Sequence, residues 1–373
     1  MLFYYRNSFK SLAELNQPEL RLGGLRINPE VNISSTITYY NNIRYKKTYG
    51  KELQTISGLP ADARMTYFSF SPDETKLAFT NSTDHGVELW VVDLTDLTAR
   101  RMTEAAINAN AGMPYTWFPG SSALLVRMLP VGRASLIETR TAPPEGPIVS
   151  VSDGQISQNR TYQDLLKNPY DEANFETLIT SELYRVDLNG TQERWKEAAM
   201  YIDEEFSPGG DYLLLTTLEH PFSYVVPWYS FPNRTDLHHA DGRFLMTFSR
   251  QPLLDNLPVG FMATWQGKRN IHWRADKPAT LAWVEALDKG DPEVEVPFRD
   301  ELFQLEAPFT GIPQSLVKTI QRYAGVIWGN DRYAVILDRW WNSRNSKTYL
   351  FDPSGSNPDP RILTDRDYQD AYS

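Results

Sequence analysis

One pattern recurs five times in this chain: an aromatic-anchored turn, a short apolar run and a second strand closing on Asp or a comparable turn residue. The clearest copy is FSFSPDETKLAFT, in which Phe68 and Phe70 alternate with serines, Pro72 and Asp73 make the turn, and Leu77, Ala78 and Phe79 begin the returning strand. VELWVVDL and ARRMT follow as third and fourth strands. Later copies open at MPYTWFPGSSALLVRM, IDEEFSPGGDYLLLTTL, NIHWRADKPATLAWVEA and GVIWGNDRYAVILDRWW. Their anchors, Phe70, Phe118, Phe206, Trp273 and Trp328, are separated by 48, 88, 67 and 55 residues, so the loops vary and the strands repeat. A repeat that cannot bury both faces of its own sheet must stack on copies of itself. The expected fold is therefore all-β: an incomplete β-propeller of four-stranded antiparallel blades, about five whole and one partial.

The expected blades span 64–103, 113–197 with an insertion at 130–180, 200–266, 268–320 and 323–366. Residues 1–57 make a partial blade, in which LFYYR, SSTITYYNNIRY and KELQTI read as second, third and fourth strands without a first. RILTDRDYQDAYS ends a blade with no cap, so both termini carry the expectation of a piece cut from a longer array. The aromatic share of 13%, with 10 Trp, 20 Tyr and 17 Phe, suits sheets stacked face to face. Phe70, Trp90, Phe206, Trp283 and Trp328 are expected to be core between sheets. In the insertion, TYQDLLKNPYDEANFETLI is expected to lay Leu165, Leu166, Tyr170 and Phe175 as one helical face on the propeller rim.

Charge and composition exclude several functions. A net charge of -10 opposes a general grip on nucleic acid or anionic lipid, and no apolar run is long enough to span a bilayer. The start lacks the basic segment, apolar core and cleavage site of a signal peptide, while the compartment is left open. With no cysteine there is no disulfide, thiolate metal site or cysteine nucleophile. No Gly-rich phosphate loop or EF-hand spacing occurs, so no cofactor is expected. TDLHHADGR places His238 and His239 between Asp236 and Asp241, but neighbours on a strand point to opposite faces, and no metal is expected there.

Several strings are more specific than a repeat. LAELNQPELRLGGLRINP (12–29), PPEGPIVSVSDGQISQNRTYQDLLKNPYDEANFE (143–176), HPFSYVVP (220–227), WRADKPATLAWVEALDKGDPEVEV (273–296) and the C-terminal PRILTDRDYQDAYS together touch most of the chain. They resemble the propeller domain of the prolyl oligopeptidase family of serine peptidases, most closely its glutamyl endopeptidase branch. The resemblance implies a two-domain enzyme in which an α/β-hydrolase domain carries a Ser, Asp and His triad after the propeller. That domain is not in this chain: no GxSxG nucleophile elbow occurs, and PGSSAL and PSGSNP lack its second glycine. Nor does the strand context of His85, His220, His238, His239 or His272 set up a triad, so no catalytic residue is expected.

The expected role is non-catalytic. The propeller would cover the hydrolase domain's active site, admit peptides of limited size and help choose the residue before the cut. Because the resembling branch cleaves after glutamate, Arg269 and Arg274 in KRNIHWRADKP are candidates for bidentate recognition of a substrate carboxylate. Pairing with Asp276 or with an acid of another blade is the alternative. Arg160 and Tyr162 in the insertion are further candidates. The insertion itself either contacts the hydrolase domain, controls entry or decorates the rim. A stand-alone propeller that binds protein or peptide as a scaffold is the competing reading.

Overall fold

A computed structural model of the chain describes residues 1–6, 12, 16–138, 162–355 and 360–370. Within them the strands form antiparallel sheets, five of four strands and two of three, and every strand but Leu2–Tyr5, which pairs with Asn42–Tyr45, pairs with a sequence neighbour. The chain is a β-propeller. Its described residues fall into two compact units, one holding residues up to 138, 162–204 and 215–231, the other 205–214 and 232–370.

In the first unit, blade 1 consists of Met65–Phe70, Lys76–Ser82, Val87–Asp93 and Thr98–Arg101. Blade 2 consists of Tyr115–Trp117, Ala123–Met128, Ser181–Asp187 and Gln192–Ala199. Alternation along the strands of blade 1 supplies two cores. Leu77, Phe79 and Val92 pack with Ile43 of a three-stranded N-terminal sheet and with Ile56 just beyond its last strand. Ala78, Leu89 and Val91 pack the other way, on Tyr115, Trp117, Leu124 and Val126 of blade 2. Each sheet thus dries a face of its neighbour, which is what holds a radial stack together. The N-terminal sheet comprises Leu2–Tyr5, Asn42–Tyr45 and Gln54–Thr55, paired in that order.

Blade 3 consists of Tyr201–Phe206, Tyr212–Leu218, Asn233–His239 and Phe244–Gln251, and the two units change over within its first two strands. The second unit continues with blade 4, Arg269–Trp273, Thr280–Ala286, Asp300–Glu306 and Gln314–Thr319. Blade 5 is Arg322–Trp328, Ala334–Trp340, Asn345–Phe351 and Arg361–Asp367. Successive residues of one strand again serve opposite sides. Leu281 and Trp283 pack with Leu214, Leu237 and Phe248, whereas Ala282 and Val284 pack with Ala334, Ile336 and Tyr349.

The Ser-Pro turn between first and second strands has a local cause. Ser71 Oγ donates to Asp73 Oδ1 at 2.6 Å and accepts from Lys76 N–H at 3.0 Å, while Thr75 N–H donates to Asp73 at 3.0 Å. These bonds, that from Ser71 foremost, hold the Asp73 carboxyl down at about 2. Ser207 repeats the design, accepting from Tyr212 N–H at 3.1 Å. Both turns need a residue at positive φ three positions after the serine, Glu74 at 56° and Gly210 at 85°.

First-strand aromatics also carry a polar job. Trp117 Nε1 donates to the Ser69 carbonyl of the preceding blade at 3.3 Å, Trp273 Nε1 to the Glu205 carbonyl at 2.9 Å and Trp328 Nε1 to His272 Nε2 at 3.1 Å. Indoles at these positions fill the gap between sheets and satisfy a half-buried acceptor on the neighbouring first strand.

Two expectations need correction. Phe70 is not core: its side chain is 39% exposed. A register shift at Tyr67, whose φ is 51°, sets Phe68 to pack on Tyr4, Tyr40 and Phe79, and Phe70 lies outside that cluster. The helix of the insertion starts later than expected, at Pro169, and runs to Ile179. Asn168 caps it by accepting from Tyr170 and Asp171 N–H, each at 2.9 Å, and a residue before proline disfavours helical backbone. Leu165 and Leu166 therefore precede it, and its buried face is Asn174, Phe175, Leu178 and Ile179.

That helix ties together three of the strings that carry the resemblance. Phe175 meets Phe222 and Phe231 edge-on at 5.2 and 5.7 Å, and its ring lies against Gly23 in the hairpin of Leu20–Leu22 and Leu25–Asn28. Trp228 N–H donates to the Gly23 carbonyl at 2.8 Å, and Gly24 N–H to the Asp164 carbonyl at 2.7 Å.

A candidate carboxylate-reading cluster

Blades 4 and 5 bring five charged side chains together in the second unit. Arg269 opens the first strand of blade 4, Asp300 opens its third, and Asp288 follows its second, with Arg299 one residue ahead of Asp300. Arg322 opens blade 5. The sheet register makes this a single end of the stack, because Arg269 pairs with Val284 and Ala286 with Asp300.

Arg322 sits at the centre with a fully used guanidinium. Its Nη2 donates to Asp288 Oδ2 at 2.7 Å, its Nη1 to Asp300 Oδ1 at 2.8 Å, and its Nε to the Met262 carbonyl at 3.1 Å. Arg299 Nη1 adds a second donor to Asp288 Oδ2 at 2.9 Å, and its guanidinium lies 4.2 Å from the centre of the Trp340 ring. Asp300 accepts from Arg269 Nη2 at 2.6 Å and, through its other oxygen, from Tyr323 N–H at 2.7 Å. The carboxylate side chains are 0% and 1% exposed.

Burial alone would raise the Asp288 carboxyl, but hydrogen bonds from Arg322 and Arg299 outweigh it and hold the group below its ordinary value. Burial lowers Arg322, and the two aspartates more than reverse the effect. Arg269 ends the other way: burial depresses its guanidinium, and the single aspartate it shares with Arg322 does not restore it. Burial also pushes the neighbouring Tyr323 phenol up to about 12, against the pull of Arg269, so it stays a neutral O–H donor.

The other sequence candidates lie elsewhere. Arg274 is 1% exposed and forks onto Asp276, Nη2 to Oδ2 at 2.7 Å and Nε to Oδ1 at 3.1 Å. It also donates to Gln304 and lies 4.5 Å from the centre of the Trp328 ring, so the pairing within the chain is the arrangement found. Tyr162 is half-buried, beside Asp164 at the foot of the insertion. Arg160 falls outside the described residues. His238 bonds the Gly242 carbonyl at 3.2 Å while the His239 ring lies tilted against Tyr212 at 5.4 Å, and among the described residues no group of three or more His, Asp or Glu is placed to hold a metal ion.

Sequence reasoning found Arg269 and missed Asp288, Arg299, Asp300, Arg322 and Tyr323. The legible signal was that Arg269, Asp300 and Arg322 each stand at the first position of a strand rich in apolar and aromatic residues. Charged residues at such positions rarely stay unpaired.

No family model matches the chain. Two curated plant proteins do so over its whole length. It is 33% identical over 387 residues to a protein named probable glutamyl endopeptidase, chloroplastic, of Oryza sativa subsp. japonica, and 32% identical over 386 residues to one of the same name from Arabidopsis thaliana. The chain spans 41% and 40% of their lengths. Among solved structures, the β-propeller domain of the trilobed protease from Pyrococcus furiosus overlaps 81% of this chain and 71% of its own, at 10% identity and a TM-score of 0.43.

Proposed function

Because this chain belongs to the glutamyl endopeptidase branch along its entire length, we propose that it serves as the non-catalytic propeller of such a serine peptidase. Its work is to gate substrate access and help select peptides for a hydrolase domain of the same parent chain. The observation that carries this reading is the relatedness itself, unbroken over the chain yet covering only two-fifths of each named peptidase. The propeller supports it physically. A stack of sheets locked by buried aromatics and by indole bonds between first strands is rigid, and excluding large substrates requires rigidity.

The chemistry of the chain agrees. It carries no nucleophile elbow, and four of its five histidines are engaged in local contacts: His272 with Trp328, His238 with Gly242, His239 with Tyr212 and His220 with Phe222. Within this reading Arg269 is the residue that meets an acidic group of the peptide.

The test is a fluorophosphonate probe applied to this chain alone and to the product of its whole gene. Labelling of the whole product but not of this chain, with cleavage of glutamyl peptides following the label, is the expected result. Labelling of the 373-residue chain overturns the non-catalytic role. A gene that stops at Ser373 turns the assignment to a free-standing peptide-binding scaffold.

A further inference from the structure

Lys268 stands just ahead of the first strand of blade 4, in the seam where the last strand of blade 3 meets that blade. Two buried rings wall it. Its Nζ lies 4.3 Å from the centre of the Phe248 ring and 5.4 Å from that of Trp283. An ammonium carries three donors, and here one of them is used, to the Phe248 carbonyl at 3.1 Å. Among the described residues Lys268 makes no ion pair. The acid that acts on it, Glu285, already accepts from the Trp283 indole N–H at 2.8 Å. Lys347 and Lys318 differ, since Asp365 and Glu301 face them. The seam therefore suits an uncharged nitrogen. Burial lowers the Lys268 ammonium from its usual value, with Glu285 opposing, and so enlarges the share of free amine. The side chain is half-buried, so reagents in solution still meet it.

We propose that Lys268 is an acylation site, which takes a short acyl group such as acetyl from an acyl thioester. The ammonium first gives one proton to solvent. The free amine then attacks the thioester carbonyl carbon; a C–N bond forms, the C–S bond breaks, and the thiolate leaves with the electron pair and takes a second proton from nitrogen. The product is neutral and keeps one N–H, which matches the one acceptor at hand, the Phe248 carbonyl. Acylation forfeits the attraction of the rings for a cation, but it removes a charge from an apolar seam. The acyl chain offers the Phe248 and Trp283 rings apolar contact instead, and its oxygen uses the solvent that the half-buried side chain keeps. The modified side chain thus tightens the seam between blades 3 and 4. The site does not depend on the peptidase reading, and either can fail alone.

The test is acetylation of the intact chain by limiting acetyl-coenzyme A at about pH 8, with the initial rate at each lysine read by peptide mass spectrometry. Lys268 is expected to react ~3-fold or more faster than the exposed Lys51 and Lys289, because the rate follows the share of free amine. Phe248→Leu removes one ring, keeps the backbone carbonyl and admits water, and is expected to bring Lys268 down to the rate of those two. A chain carrying Nε-acetyl-lysine at position 268, made by codon suppression, is expected to match or exceed the urea midpoint of the parent. That measurement decides the matter even where Phe248→Leu impairs folding. A Lys268 no faster than Lys51 and Lys289, a rate untouched by Phe248→Leu in a folded chain, or a lowered midpoint in the acetylated chain overturns the site.

Discussion

Trp328 donates its indole N–H to Nε2 of His272 across 3.1 Å, while Nδ1 of the same ring bonds the Asn270 carbonyl across 2.7 Å. The two bonds fix the tautomer, because a carbonyl needs a donor and an indole N–H needs an acceptor. Proton uptake at Nε2 removes that acceptor and sets a cation near Arg274, whose guanidinium lies over the Trp328 ring. Burial accordingly lowers the His272 pKa from its usual 6.5, with the bond to Asn270 opposing. The folded form thus prefers the neutral ring. Stability from this contact is complete above the unfolded value near 6.5 and is lost as pH falls toward the lower folded value. Urea midpoints measured from pH 7.5 down to 5 should fall by an amount worth about 1 kcal/mol, and His272→Gln should flatten the slope. An unchanged slope in that variant removes His272 from the account.

Arg322 offers a sharper test of the buried network. Its loss leaves Asp288, 0% exposed, with only Arg299 and the Gly290 N–H, and deprives Asp300 of its closest buried cation but one. Breaking one partner of a buried pair typically destabilises by about 3–5 kcal/mol. Arg322→Met should therefore lower stability to denaturant by about that much, and Arg322→Lys should recover only a part, since an ammonium cannot replace the fork that spans both carboxylates. A loss below about 1 kcal/mol in the Met variant means the network is solvated.

The propeller was legible because its cause is local and repeated. Ser71 and Ser207 make the same turn with the same hydrogen bonds, and alternation in Leu77–Phe79 or Leu281–Val284 states which side each residue serves. What escaped was set by pairing partners far apart in sequence. Nothing in MTYFSF announces the register shift at Tyr67, which depends on how that strand meets its neighbour. The charge cluster escaped for a like reason. Arg269 and Arg322 stand 53 positions apart, and only the register that brings Asp300 between them makes them one site. The hairpin around Gly23 and Gly24 was quoted for its resemblance but not read as strands, because three- and four-residue strands carry too little alternation.

Gly24 is where that hairpin is least tolerant. Its φ is 86°, and a Cβ there would stand 2.8 Å from the Pro227 Cβ. Alanine must meet both the left-handed backbone and the ring behind it, so Gly24→Ala should destabilise by about 1–3 kcal/mol. The damage should be local at first. Hydrogen exchange should quicken in the helix Pro169–Ile179, which packs on the same hairpin, before it changes in blades 4 and 5. Uniform acceleration across the chain contradicts this.

Phe79 and Phe70 separate true core from an aromatic that only sits in a core-like pattern. Phe79 is fully buried, stacks on Trp90 at 6.3 Å and touches Phe68 at 5.8 Å between blade 1 and the N-terminal sheet. Phe70, two residues beyond Phe68 on the first strand, is 39% exposed and belongs to neither core that flanks blade 1. Removing the Phe79 ring leaves a cavity between two sheets that cannot collapse without shifting both, so Phe79→Ala should cost about 3–5 kcal/mol. Phe70→Ser should stay within about 0.5 kcal/mol of the parent. Thermal and urea unfolding of the two variants side by side checks both values, and a Phe70 variant as damaged as the Phe79 variant places another surface of the protein over that ring.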